Sequence, residues 1–437
     1  MRKLINKEYL TILFLIVYIA APYYFYIKNI KFIYIWSIVG ILMIMIANNK
    51  ILIYRRPITI MTVTVFYAII SNFLIYIVSG EFFLGILFLI STLLVGIFII
   101  PNINDKKIFL KTIDGIIYFS GVVGIFGIVE EIFRFNIFSL FNNTNTIPNY
   151  NPLRFGTLRI ISFHAHAIIY CVWLMFILAL IYYRLTMEKN KKVYISIYII
   201  LIINALLTLS RSSLITLFVS QILLLYRSGF TFFLKKMGQI LTIIIVFIVI
   251  SMLFIPQLKN LIYNVIDMII AIYNDDYTNK ISDSFGNDNL TGYGNRFDLY
   301  KWVNEEMANN WLFGKGIFSE FSHDYINRDG YWTSKKSIEV EYLNTLYHKG
   351  LFGLIAELIL YISLLIITFG KKAKKMKSFE TIINFNTVFN TVLLCYCIEL
   401  FAVNASTERN TFYILIILLM CYNFFLKEKK ENHKDLV

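Results

Sequence analysis

The stretch LTLSRSSLITLF, residues 207–218, sets Arg211 between two aliphatic runs. A full charge in such a place is costly unless it reaches an interface or holds an anion. Thr208, Ser210 and Ser212 surround it with hydroxyls that can donate to one oxyanion, and a guanidinium grips phosphate oxygens bidentately. The competing reading is an interfacial anchor that reaches lipid headgroups. Arg154, Arg159 and Arg296 lie in connecting segments on the side of the membrane expected for Arg211.

Acids and imidazoles offer the other half of a group transfer. Glu339 and Glu341, in SIEVEYLNTLYHKG, can act as a general base toward a substrate hydroxyl, or simply suit the positive end of a helix. His323 beside Asp324 reads as a base with an orienting carboxylate or as a polar turn in a loop. His164 and His166 are two apart, poor partners for a single metal, and fit a hydrogen-bonded or pore-lining role better. Glu357 and Glu399 fall inside apolar spans, where ionisable groups are functional suspects or partners for the outer arginines.

The elements that carry these residues are membrane helices. The chain has 437 residues, 58% hydrophobic and 16% charged, with a mean hydropathy of +0.68, far from a soluble globular composition. Runs of about 20 apolar residues recur along it, each able to cross the hydrocarbon as a helix. Spans are expected at 8–28, 31–48, 57–79, 82–101, 113–135, 161–184, 193–209, 212–227, 238–256, 350–369, 380–404 and 410–426. The fold expected is thus all-α, a polytopic membrane protein of about 12 transmembrane helices with a retained first helix.

The formal net charge is +14, but the positive residues sit in short clusters between spans, as topology signals do. Clusters such as Arg2, Lys3 and Lys7, or KKAKKMK from 371, place both termini in the cytoplasm, and nucleic acid is not an expected partner. Helix seven then ends outside near Ser210 and helix eight begins outside at Arg211. Three parts follow: helices 1–9 over residues 1–256, a long outer segment over 257–349, and helices 10–12 with a cytoplasmic tail over 350–437. Within the outer segment, QLKNLIYNVIDMIIAIY has helical spacing, and RFDLYKWVNEEMANNW sets Phe297, Tyr300, Trp302 and Val303 on related faces. The four cysteines fall inside spans and behave as small apolar groups.

There is no phosphate-binding glycine loop and no metal-ligand cluster of familiar spacing, so neither nucleotide, cofactor nor metal is expected. A transporter would show related halves and midplane charges; here one outer segment is large and most suspect charges gather near one face.

The ordered set LTLSRSSLI, GNRFDLYKW, NNWLFGKGIF and EVEYLNTLYHKGLFGLIAEL, with RFGTLRIISFHAHAIIY before them, resembles the O-antigen ligase and Wzy-type polysaccharide polymerase superfamily over roughly 150–370. The resemblance implies an inverting, metal-independent glycosyltransferase of the GT-C-like membrane class. Its donor would be an undecaprenyl-pyrophosphate-linked oligosaccharide at the outer face of the plasma membrane, among membrane lipid, with a flippase and a chain-length regulator as partners. It places Arg211 and Arg159 on the donor pyrophosphate with Ser210 and Ser212, and Arg296 ahead of Trp302 as a residue that closes the loop over it. The His-Asn pair of the ligases, eleven and ten positions before Gly350, is replaced by Glu339 and Val340. That departure favours a repeat-unit polymerase of capsule, exopolysaccharide or O-antigen, with Glu339 or Glu341 activating the acceptor and His323 on the glycan.

Overall fold

A computed structural model describes residues 7–20, 25–27, 30–48, 60–103, 105–141, 158–164, 166–188, 190–229, 294–307, 309–326, 332–369, 383–404 and 409–434. The chain forms two compact units, Met1–Leu224 with Met307–Val437, and Leu225–Glu306.

In the first unit the elements run α1 (Lys7–Ala20), a short ribbon β1 (Tyr26–Ile27) with β2 (Ile30–Lys31), α2 (Phe32–Asn48), α3 (Ile60–Val78) and α4 (Phe82–Leu89). From α4 a π-helical turn at Ile90–Leu94 leads into α5 (Val95–Ile99), and then come α6 (Lys106–Phe133), α7 (Ala167–Met187), α8 (Lys192–Leu207) and α9 (Arg211–Arg227), whose last residues enter the second unit. After α10 (Gly294–Met307), which belongs almost wholly to that second unit, follow a ribbon of β3 (His323–Ile326) and β4 (Trp332–Lys335), α11 (Glu341–Thr368), α12 (Phe385–Glu399) and α13 (Arg409–Lys434). Helix is what such sequences must form, because a backbone in hydrocarbon has to satisfy its own hydrogen bonds.

Helical structure overlies each expected span except 238–256, which lies outside the described residues, as does the apolar stretch from 257. Among the described residues, four helical stretches are long and apolar enough to cross a membrane: Phe82–Asn102, Lys106–Phe133, Ala167–Met187 and Glu341–Thr368. The chain is mostly helical, as expected, with two antiparallel two-stranded ribbons among the described residues. Helix α6 starts earlier than expected because Asp105 caps it, accepting from Ile108 N at 2.8 Å. Helix α12 starts later than expected, capped by Asn384, which accepts from Thr387 N at 2.8 Å.

Helix α7 is the axis of the bundle, with Trp173, Tyr170, Phe176 and Tyr183 fully buried. Many residues on outward faces of the surrounding helices, such as Leu42, Val122, Ile125, Ile199 and Ile366, are exposed and apolar, as lipid contact requires. Lipid is as apolar as leucine, so the helices are held by close packing and polar ties. Gly121, Gly124 and Gly127 form a strip on α6 that admits α8: a Cβ at Gly124 would lie 2.8 Å from Ile200 and Leu201, and one at Gly127 would overlap Asn204. Asn204 uses that approach to donate to Gly124 O at 2.8 Å, while accepting from Tyr170 OH at 3.0 Å, so one amide ties three helices. At the other end of α8, Arg184 donates twice to Asp114 at 2.6 and 2.8 Å and once to Glu188 at 2.6 Å.

Gly127→Ala should therefore destabilise the protein by about 1–3 kcal/mol through overpacking. Gly96→Ala, whose added carbon meets nothing nearer than 4.0 Å, should be neutral or stabilising by up to about 1 kcal/mol. Thermal unfolding of both variants in one detergent checks the contrast.

Candidate active site

The link between α8 and α9 is a tight elbow, Thr208–Leu209–Ser210, closed by Leu209 in the left-handed region at φ 50°. For a leucine that conformation costs roughly 1–2 kcal/mol, so the surroundings must hold it. Arg159 does so: its Nε donates to Thr208 O and its Nη2 to Ser210 Oγ, both at 3.1 Å. Ile160 N adds a bond to Leu207 O at 3.4 Å. The segment carrying Arg159 is itself anchored. Glu130, in the last turn of α6, accepts from Ile161 N at 3.1 Å and Ser162 N at 2.9 Å, and Asn136 donates to Ser162 O at 2.7 Å. Ser162 is also left-handed, at φ 53°.

Arg211 is half-buried and opens α9, where the helix dipole disfavours a cation and favours an anion beside it. Arg159 thus meets the residue that precedes Arg211, so the two arginines expected on one anion belong to one elbow of the chain. Ser210 is buried and Ser212 half-buried. The Thr208 hydroxyl bonds Ala205 O at 2.7 Å, closing the end of α8. Arg154 lies outside the described residues. Arg296 sits in the first turn of α10, its side chain outside them, and Trp302 is buried on the same helix with Leu299 and Val303, whereas Tyr300 is exposed.

The acids come from the start of α11. Glu341 is buried, its N–H donating to Leu400 O at 3.1 Å just past α12, so it is no solvated helix start. Glu399, at the end of α12, accepts from Ser213 at 2.6 Å and from Thr216, both on α9. The first turns of α9 and α11 therefore meet the last turn of α12. Glu339 keeps about 43% of its side chain exposed and is paired with Lys335. It also lies close enough to act on His166, as does Arg159. His166 caps α7, its Nδ1 accepting from Ile168 N at 3.1 Å. Burial first and then Arg159 push its pKa down to about 4, against a smaller opposing effect of Glu339. His164 is buried against the rings of Phe163 and Trp173. His323 lies in a strand, not a turn, and the neighbouring Asp324 accepts from Ser334 at 2.6 Å on the ribbon's other strand.

Sequence reasoning did not single out three residues: Glu130, Asn204 and Lys349. Lys349 is buried and donates to Glu357 at 3.1 Å and Asn72 at 2.6 Å, while Thr345 donates to Glu357 at 3.1 Å. Glu357 thus pairs with Lys349 within α11. The pair spans a break in α11 at Gly350, where φ is 65°. The loop 311–316 seats on this break through Leu351 N to Trp311 O at 2.8 Å and Lys315 N to Tyr347 O at 2.8 Å. A side chain on Gly350 would strike Leu312 O, and one on Gly314 would come within 2.5 Å of the His348 carbonyl carbon. Gly353 leaves the space that the Lys349 stem occupies.

Lys349→Met should destabilise the protein by roughly 3–5 kcal/mol by leaving a buried carboxylate without its counter-ion, and Lys349→Met/Glu357→Leu should recover most of that loss. Unfolding in detergent reads both. For His166, the folded pKa of about 4 lies below the ordinary 6.5, so its contribution to stability is present above 6.5 and is lost as pH falls from there toward 4. His166→Asn, which keeps a cap, should flatten that part of the stability curve.

Residues 196–358 match the protein-family profile Wzy_C, described as O-antigen ligase. No curated protein sequence matches the chain. The matched region runs from α8 through the elbow and Arg211 to Glu339, Glu341 and the Gly350 break. Over that region the chain is similar to the O-antigen ligase family.

Proposed function

We propose that the protein is a polysaccharide repeat-unit polymerase, an inverting, metal-independent glycosyltransferase. It moves a growing glycan from undecaprenyl pyrophosphate onto a lipid-linked repeat unit at the outer face of the plasma membrane, with both termini in the cytoplasm. The observation that carries this reading is the elbow, where Arg159 is bonded to Ser210 and Arg211 follows it at the start of α9.

In this reading the donor pyrophosphate sits at that helix start. An acceptor hydroxyl attacks the anomeric carbon from the face opposite the leaving group. The bond from that carbon to the pyrophosphate oxygen breaks, and its electron pair stays on the lipid pyrophosphate. Arg159 and Arg211 neutralise the charge that develops there. The hydroxyl proton passes to Glu339. Glu339 is preferred to Glu341 because it is half-exposed while Glu341 is buried. His323 is assigned to contact with the glycan.

The family description favours a second reading, transfer of glycan to a different acceptor. Glu339 and Val340 stand where the ligases carry His-Asn, which supports polymerisation.

Purified protein given lipid-linked repeat units, without nucleotide, should build a ladder of polymer. Arg211→Ala should cut the rate by about 10²–10³-fold, the effect of removing one donor from a developing anion. Arg211→Lys should stay at least about 10-fold impaired, since an ammonium lacks the planar fork. No ladder with authentic substrate, but transfer to another acceptor, would replace the polymerase with the ligase reading. A normal ladder from Arg211→Lys would remove the assigned role of the arginine.

A further inference from the structure

The ribbon of β3 and β4 has two different faces. Its register pairs His323 with Lys335, Asp324 with Ser334, Tyr325 with Thr333 and Ile326 with Trp332. Cross-strand partners share a face and neighbours along a strand alternate. His323, Tyr325 and Lys335 therefore lie together, while Asp324, Ser334 and Trp332 lie opposite. The hydrogen bond from Ser334 to Asp324 marks that opposite face, which is exposed, Trp332 at 73%. The face of His323, Tyr325 and Lys335 is half-buried.

This half-buried face reaches Glu339 through Lys335. Lys335 Nζ bonds Glu339 Oε1, and Glu339 in turn acts on His166 beside Arg159. A molecule lying along it would end with one group at the acid assigned to the acceptor. The chemistry of the face is that of a sugar subsite. Lys335 donates, the Tyr325 hydroxyl and His323 imidazole donate and accept, and the two rings offer flat surfaces to the C–H face of a pyranose. A membrane-docking surface would need apolar side chains, and the ribbon's exposed tryptophan is on the other side.

We propose that the His323–Tyr325–Lys335 face of the ribbon binds the sugars of the acceptor repeat unit and delivers their hydroxyl to Glu339. The inference rests on the polymerase reading and adds the surface that holds the acceptor. It also gives the Lys335–Glu339 pair a purpose: a lysine and a carboxylate side by side can hold one hydroxyl as acceptor and donor at once.

The test uses purified full-length protein and lipid-linked repeat units extracted from the producing cells, with polymerisation measured against their concentration. Tyr325→Ala and His323→Ala should raise KM about 10-fold with kcat within about twofold, as loss of binding shared by ground and transition states does. Tyr325→Phe, which keeps the ring and the ribbon, should raise KM about 3-fold through the lost hydroxyl contact. Trp332→Ala and Ser334→Ala should behave as wild type. An unchanged KM in Tyr325→Ala and His323→Ala, or an equal rise in Trp332→Ala, overturns the proposal. If wild type makes no polymer, the polymerase reading fails. Equilibrium binding of the same repeat units to the same variants then decides the ribbon's role by itself, with equal affinity across the set counting against it.

Discussion

One carboxylate holds the site together. Glu130 accepts the N–H groups of Ile161 and Ser162, and the segment so fixed lays Arg159 along the α8–α9 elbow. A backbone held in the left-handed region at both Ser162 and Leu209 would relax without such ties. One turn back on α6, Gly127 makes room for Asn204, which joins α6 and α7 to α8. The end of α6 therefore positions both the arginine that reaches the elbow and the helix that leads into it.

The charged groups within the bundle are mostly spent on one another. Arg184 is taken up by Asp114 and Glu188, Lys349 by Glu357 and Asn72, and Glu399 by two hydroxyls of α9. Ionisable groups in a transporter line a path and change partners during the cycle. Here they join elements: α6 to the end of α7 at Arg184, the two halves of α11 at Lys349, and α9 to α12 at Glu399. A fixed frame with its cations at one elbow suits a catalyst, which needs its charge in place before the reaction begins.

Much of this was legible in the residues themselves. Apolar length placed the helices because hydrocarbon leaves the backbone few options, and Arg211 stood out as a charge among aliphatics. Arg159 was visible through the resemblance. What escaped notice depends on contacts between distant residues. Glu130 was detectable as an acid inside an expected span, but its two backbone partners lie about thirty residues away. Lys349 was concealed in a stretch that reads as the approach to a helix, while the structure continues α11 through it with a break at Gly350. Glu341 looked solvated because its docking on Leu400 joins two remote segments. The HDYI strand is too short to show alternation, so His323 read as part of a turn.

The central claim is that Arg159 and Arg211 together hold a lipid pyrophosphate at the elbow, and equilibrium binding of a short isoprenyl pyrophosphate to the detergent-purified protein tests it most directly. The account predicts that Arg159→Ala and Arg211→Ala each weaken binding about 10-fold or more, that the double variant loses less than the product of the two, and that added salt weakens the wild type. Affinity unchanged in both single variants would contradict it.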